Sequence, residues 1–287
     1  MLSAFLYDNI FNVKNPLVSV VIATKNEEKN IQDCLESIKK QAYKNIEIIV
    51  VDNNSSDRTK IISRKYTNKV FDFGPERSAQ RNYGMLKKAK GKYLIFLDAD
   101  MRVAGNTILN CVKKIEPAKD IVALYIAEKI AGSGFLSRVR NFERSFYNET
   151  AIDGLRFFRR EIFEKVQGFD ESLYACEDWD LDKRIKKLGK TGFVAGPLSH
   201  NESNLSLKNY LNKKAYYSNN FSIYVKKWGS NDPDVKKQFG FYYRFIGVFI
   251  ENKKWKKIFS HPILTFGMLY LKFLVGLIYL KKKYAGN

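Results

Sequence analysis

The sequence predicts an α/β fold: a mostly parallel sheet flanked by helices, followed by a helical C-terminal extension. Three features carry that prediction. Short, nearly continuous apolar runs rich in Val and Ile recur in the first hundred residues, as strands buried on both faces require. Apolar residues between them recur at helical spacing. Three runs end abruptly in polar residues, at the edge where open α/β sheets bind ligands.

Residues 18–23 read as the first strand, followed by Ile31, Cys34, Leu35 and Ile38 at helical spacing. Residues 47–52 read as the second strand. Asn53-Asn54-Ser55-Ser56-Asp57 is a polar loop rich in N-cap residue types, so a helix is expected to start there. Residues 69–73 suggest a short third strand and 79–90 a helix that stops at Gly91. Residues 93–97 form the fourth run, which ends in Asp98-Ala99-Asp100. Beyond Ile115 the pattern loosens, with a strand expected over 121–130, helices over 135–149 and 179–188, and a strand over 191–195. From residue 206 the character changes. Tyr210, Tyr217, Phe221, Tyr224 and Trp228 share a helical face alongside many lysines. Residues 241–250 are apolar, 253–257 basic and 258–280 largely apolar, with Lys281-Lys282-Lys283 closing the run. The chain therefore divides into a sheet domain over 1–205 and a helical, basic and aromatic region over 206–287.

The 287 residues are 45% hydrophobic, enough for a large core and too apolar for wholesale disorder. Fifty Lys and Arg against thirty Asp and Glu give a charge of +20, which points to a polyanionic partner: nucleic acid, an anionic membrane or a phosphorylated substrate. Cys34, Cys111 and Cys176 are widely spaced and odd in number, which fits a reducing compartment. Residues 1–16 carry Asp8 and lack the basic start and small-residue cleavage site of a signal peptide, so the catalytic part is expected in the cytoplasm.

Asp98 and Asp100 are the sharpest chemical feature. Two carboxylates two positions apart can converge on one hard cation, Mg²⁺ or Mn²⁺, that bridges a diphosphate. The bland alternative, a solvated turn, loses ground because the preceding run is so apolar. Glu177-Asp178, beside Trp179, suits a general base of raised pKa. Acids favoured at a helix N-terminus explain the pair equally well, and Asp180 and Asp182 fit that reading. Arg77, Arg81 and Asn82 near a helix start suit phosphate or carboxylate recognition, or simply an exposed basic face. His200 suits a metal or diphosphate contact, or an ordinary loop histidine; His261 reads as structural. No GxxxxGK[ST], GxGxxG or GxSxG pattern is present, which argues against P-loop, dinucleotide-binding and hydrolase chemistry.

Four ordered blocks, VSVVIATKNEE (18–28), IIVVDNNSSDRT (48–59), SAQRNYG (78–84) and YLIFLDAD (93–100), together resemble the family-2 inverting glycosyltransferases of GT-A type. The similarity covers roughly the first two-thirds of the chain. It implies that Thr24, Glu27 and Asp52 hold the nucleotide base and ribose and that Arg81 lies near the nucleotide. Asp98 and Asp100 would hold ribose and a metal-bound diphosphate, and Asp178, with Glu177 beside it, would be the acceptor base. The stretch from Phe157 to Asp170 also resembles the family, with Gln167 where a Gly is frequent. His200 corresponds to a metal ligand of some related enzymes. The resemblance further implies Mn²⁺ or Mg²⁺ and a nucleotide-sugar donor, UDP favoured on family frequency and GDP open.

Residues 258–280 approach the length of a membrane span. Lys272 lies well inside and costs about 2.5–3.5 kcal/mol on insertion scales, so an in-plane or partly inserted helix is favoured over a span, with an ordinary core helix as the alternative. The expected partners are a nucleotide-sugar, a glycan or polyprenyl-phosphate-linked acceptor, and an anionic membrane surface, at the cytoplasmic face as a peripheral or monotopic protein. The competing function is a non-catalytic basic protein of membrane surfaces or nucleic acid. No nucleic-acid-reading motif supports the latter, so no nucleic-acid partner is expected. A nucleotidyltransferase would carry a Gly-rich loop where Thr24-Lys25-Asn26-Glu27 stands.

Overall fold

The computed structural model describes residues 15–203, 205–218 and 220–285. Residues 1–14, most of the N-terminal stretch read as lacking a signal peptide, lie outside them, as do the side chains of Lys282 and Lys283. Strands β1 (Val18–Thr24), β2 (Ile46–Asp52), β3 (Val70–Asp72) and β4 (Tyr93–Asp98) pair in parallel in the order β3-β2-β1-β4. Their side chains alternate between two cores, as strand geometry dictates. Val20, Ile22, Ile48 and Ile95 face helices α1 (Ile31–Lys39) and α4 (Thr107–Ile115). Val21, Ile49, Leu94 and Phe96 face the opposite layer.

The remaining strands make the sheet mixed. β7 (Phe157–Arg159) runs antiparallel between β4 and β6 (Ile121–Ala131); β8 (Lys190–Asn201) is parallel to β6; β5 (Met101–Val103) closes the far edge antiparallel to β8. Four of the seven pairings are parallel. β8 is much longer than the strand expected over 191–195, so His200 stands in a strand rather than a loop. Gly196 and Pro197 hide that continuation in the sequence; a register shift opposite Ile126 and Glu128 accommodates them.

Several helix bounds differ from expectation. The polar loop after β2 does not open a helix at once: α2 (Thr59–Arg64) starts after Arg58, and Asp57 in the loop accepts from the Thr59 N–H. The helix expected over 79–90 starts at Arg77 as α3 (Arg77–Asn82) and widens into a π-helical turn over Tyr83–Lys88. There Gly84 lets the helix approach the sheet: a Cβ on it would sit 2.4 Å from Val21 Cγ1. Helix α5 (Phe135–Arg144) stops short of Glu149. α6 (Arg160–Lys165) follows β7, and α7 (Glu177–Lys186) begins two residues before Trp179.

The C-terminal helices are α8 (Leu207–Ser218), α9 (Phe221–Trp228), α10 (Pro233–Phe239), helical turns from Tyr243 to Lys253, α11 (Lys256–Ser260) and α12 (Pro262–Ala285). The expected aromatic stripe is split between α8 and α9 and turned inward. Tyr210 and Tyr224 are buried, and Tyr217, Phe221 and Trp228 pack on the Leu173–Tyr224–Val235 cluster. The stripe therefore packs on the protein and is not offered to headgroups. α12 has two unlike faces. Met268, Leu271 and Lys272 are buried against α5 and its neighbours, and Lys272 Nζ donates to the Arg244 carbonyl at 2.7 Å. Phe259, Ile263, Phe266, Tyr270 and Phe273 are each more than half exposed, next to exposed Lys256 and Lys257. His261 lies exposed at the joint between α11 and α12.

Candidate active site

The carboxyl ends of β1, β2 and β4 meet at one edge, as parallel strands joined by covering helices must. At the first two ends, Thr24 Oγ1 donates to Asp52 Oδ2 at 2.8 Å, and the Ser55 N–H and hydroxyl donate to the same carboxylate at 2.6 Å each. Asp52 is buried, so it organises the loop after β2 with both oxygens engaged. Glu27 accepts from the Asn30 amide at 2.9 Å. Burial, with Asp100, Asp98 and Asp57 nearby, raises its pKa.

At the end of β4, Asp98 pairs with Arg81. Burial works against its ionisation, but Arg81, Arg156 and His200 outweigh that and hold its carboxyl well below the usual range. Asp100 follows in the turn to β5, and its Oδ1 is buried without a hydrogen-bond partner. The register of β5 on β8 sets Met101 opposite His200, which brings His200 Nδ1 to 3.6 Å from that oxygen. The other ring nitrogen, Nε2, is 3.2 Å from Glu128 Oε2. Burial tends to lower the His200 pKa, but Asp100 and Glu128 raise it to about 9.

Arg81 links this edge to the second acidic pair. Its side chain is buried, stacks on Phe96 at 4.4 Å, and reaches Asp98 with one terminal nitrogen and Glu177 Oε1, at 3.3 Å, with the other. Arg77 also binds Glu177, at 2.7 Å, and donates to the Tyr217 hydroxyl at 2.9 Å. Asn82 has a different task. Its amide clasps the Phe169 backbone, donating at 2.9 Å and accepting at 2.8 Å. That clasp needs Gly168, whose φ is +70° and whose added Cβ would lie 2.3 Å from Asn82 Oδ1.

Asp178 stands in the first turn of α7, where its Oδ1 accepts from the Trp179 N–H at 3.0 Å. Burial and the neighbouring Glu177 push its pKa up to about 6, against the pull of Arg156, Arg77 and Arg81. That value suits a group that takes a proton near neutral pH. Asp180 and Asp182 are occupied elsewhere, by Arg184 and Trp228 and by Tyr125 and Lys186.

The structure thus brings Glu27, Arg81, Asp98, Asp100, Glu177, Asp178 and His200 to one edge, with Thr24 and Asp52 beneath the adjoining loops. Sequence reasoning missed Glu128 and Arg156. Arg156 Nε binds Glu128 Oε1 at 2.8 Å and its guanidinium lies 4.6 Å from the Phe96 ring, on which Arg81 also stacks. Arg144 binds Glu128 at 2.9 Å and Asp153 at 2.9 Å. The available signal was Glu128 itself, an acid inside an apolar strand.

Comparison with known proteins follows the same lines. The family model described as Glycosyl transferase family 2 matches residues 19–167, just over half of the chain. The chain belongs to that family and is a glycosyltransferase with a GT-A-type fold. A glycosyltransferase of Rickettsia typhi is 30% identical over 188 residues, covering 59% of this chain and 58% of that protein. The chain thus spans less than two thirds of that curated relative. The mannosyltransferase PcManGT of Pyrobaculum calidifontis, solved in complex with GDP-Man and Mn²⁺, superposes with a TM-score of 0.61 at 18% identity, over 93% of this chain and 88% of that one. S. aureus TarS 1-349 in complex with UDP superposes with a TM-score of 0.54 at 20% identity, over 85% and 72%. At these identities the two structures share the fold.

Proposed function

We propose that this glycosyltransferase moves a sugar, with inversion, from a nucleoside diphosphate to an acceptor hydroxyl at the cytoplasmic face of a membrane. The observation that carries this reading is the chain Asp98–Arg81–Glu177, which ties the β4 acids to the α7 acids within one site. Donor-side and acceptor-side groups are thereby held a single arginine apart.

Asp178 takes the proton from the acceptor hydroxyl, whose oxygen attacks the anomeric carbon while the nucleoside diphosphate leaves from the opposite face. Glu177, clamped by two arginines, keeps the start of α7 in place. Thr24, Glu27 and Asp52 shape the pocket for base and ribose, and Arg81 and Asp98 lie by ribose and diphosphate. Asp100 and His200 fit a divalent cation: the orphaned Asp100 Oδ1 faces His200 Nδ1, and both are suitable donors once the cation displaces the His200 proton. No group of three or more metal-ligating side chains converges among the described residues, so diphosphate and water would complete the shell. When bound, Mn²⁺ or Mg²⁺ neutralises the charge that builds on the departing diphosphate. UDP is the favoured carrier, with the relative bound to UDP in support; the GDP-Man complex keeps GDP in view.

Residues 206–287 serve membrane association in this reading. Exposed Phe266 and its neighbours beside Lys256 and Lys257 make the apolar stripe and basic fringe of a helix lying in an anionic interface. Lys272 does not oppose this, because it faces the protein. The acceptor is a glycan or a polyprenyl-phosphate-linked molecule.

Calorimetric titration with UDP and GDP, with and without Mn²⁺, tests the donor side. One nucleotide is expected to bind in a Mn²⁺-dependent manner, and Asp100→Ala to abolish that dependence. A folded protein that binds neither nucleotide would overturn the reading.

A further inference from the structure

The transfer reaction leaves unused a group of cations beneath the C-terminal helices. Glu143 on α5 is buried, and Arg140, Lys214, Arg244 and Lys272 gather around it. Arg140 forms an ion pair with Glu143. Among the described residues the other three cations have no carboxylate within 4.0 Å. Glu202, 3.9 Å from Arg140 Nε, is a further acid on the fringe. Several positive charges gathered around one buried carboxylate and partly shielded from water are unfavourable unless an anion joins them. Burial and neighbouring cations push Lys214 down to about 8, in keeping with that imbalance.

The place of this cluster says what the anion belongs to. α8 carries Tyr210, Lys214 and Tyr217 on one face. Tyr210 lies under Arg140, 4.7 Å from ring centre to guanidinium carbon, and Tyr217 binds Arg77, the partner of Glu177. Lys214 is thus about one helical turn, roughly 5 Å along the axis, from the tyrosine that abuts the acidic pair. On its other side, Arg244 sits in the turn that also displays Tyr242 (67% exposed) and Ile246 (45% exposed). The cations therefore lie between the tyrosine that abuts the acidic pair and the exposed apolar side chains of Tyr242 and Ile246.

We propose that Arg140, Lys214 and Arg244 bind the phosphate of a lipid-anchored acceptor, whose chain lies along the exposed side chains of Tyr242 and Ile246 and whose hydroxyl reaches Asp178. This rests on the reading of Asp178 as acceptor base and names the acceptor class for that site. A free hydroxyl compound would need no such cluster, and a plain phosphate ion would not account for the exposed Tyr242 and Ile246 beside Arg244.

The test uses the full chain in neutral detergent micelles, with farnesyl phosphate, farnesol and inorganic phosphate as probes and nucleotide binding measured on the same samples. Farnesyl phosphate is expected to bind at least tenfold more tightly than either other probe. Lys214→Gln and Arg244→Gln should each weaken it about tenfold, as loss of a charge-assisted hydrogen bond does, with nucleotide binding intact. Lys214→Arg should restore it. Farnesol binding as well as farnesyl phosphate would overturn the proposal, and inorganic phosphate binding as well would reduce the site to one for the free ion. Variants that retain full farnesyl phosphate affinity would overturn it too. A wild-type protein that binds farnesyl phosphate but no nucleotide would keep the site and sink the transferase reading beneath it.

Discussion

Replacement of Asp178 by Asn separates the chemistry of the base from its cost to the fold. Burial and Glu177 move this carboxyl from an ordinary 3.8 to about 6. The native state therefore holds the proton more tightly than the unfolded chain does, and the ionised carboxylate destabilises the fold. That penalty is absent below pH 3.8, grows between there and pH 6, and is complete above pH 6. At about 1.4 kcal/mol per pH unit it reaches roughly 3 kcal/mol. Asparagine has the same shape and no charge to bury. Asp178→Asn should therefore melt roughly 6 °C above wild type at pH 8, an advantage that fades as the pH approaches 4. Transfer should fall by three orders of magnitude or more, the loss expected of a missing base, while nucleotide affinity stays within about twofold. In the wild type, kcat/KM should decline as pH drops through about 6. Calorimetric melting across pH, with nucleotide titration of the same samples, measures all of this. An advantage of equal size at pH 5 and pH 8, or nucleotide affinity lost together with transfer, would refute the argument.

Two further outcomes follow from groups away from the base. Glu128 holds His200 Nε2 and so fixes which ring nitrogen faces Asp100; Glu128→Gln should weaken Mn²⁺ binding in the presence of nucleotide by 10–100-fold, read by paramagnetic resonance, and unchanged affinity would count against that orienting role. Phe266 is 74% exposed on α12, so Phe266→Asp should leave the melting temperature unchanged and lower sedimentation with anionic vesicles tenfold or more; equal sedimentation would show that the face does not touch lipid.

The strands whose ends carry the candidate site were legible because each is buried on both faces and so reads as an unbroken apolar run; β1, β2 and β4 were found to within a residue or so. β5 and β7, three residues each, are too short for any periodicity to register. In the site, Asp98, Asp100, Glu177 and Asp178 were legible because acids at abrupt ends of apolar or helical patterns stand out. Arg156 and Glu128 were not, because their meaning lies in a pairing between positions 28 apart in the chain that no local pattern encodes. Lys272 misled for the opposite reason. In a linear sequence it interrupts an apolar helix, and only the packing shows that it interrupts the inward face alone.

The closing of β8 beside β6 and against β5 also sets an order of events during synthesis. When the first hundred residues have emerged, β1 to β4 can already pair, since their partners are all within that segment. His200 reaches Asp100 only after a further hundred residues have been made. The sheet is thus begun by near neighbours and finished by a distant one, and long-range closure of this kind is the slow part of folding. A nascent chain halted before residue 190 would hold most of the sheet but lack β8, so His200 is the last of the gathered residues to arrive.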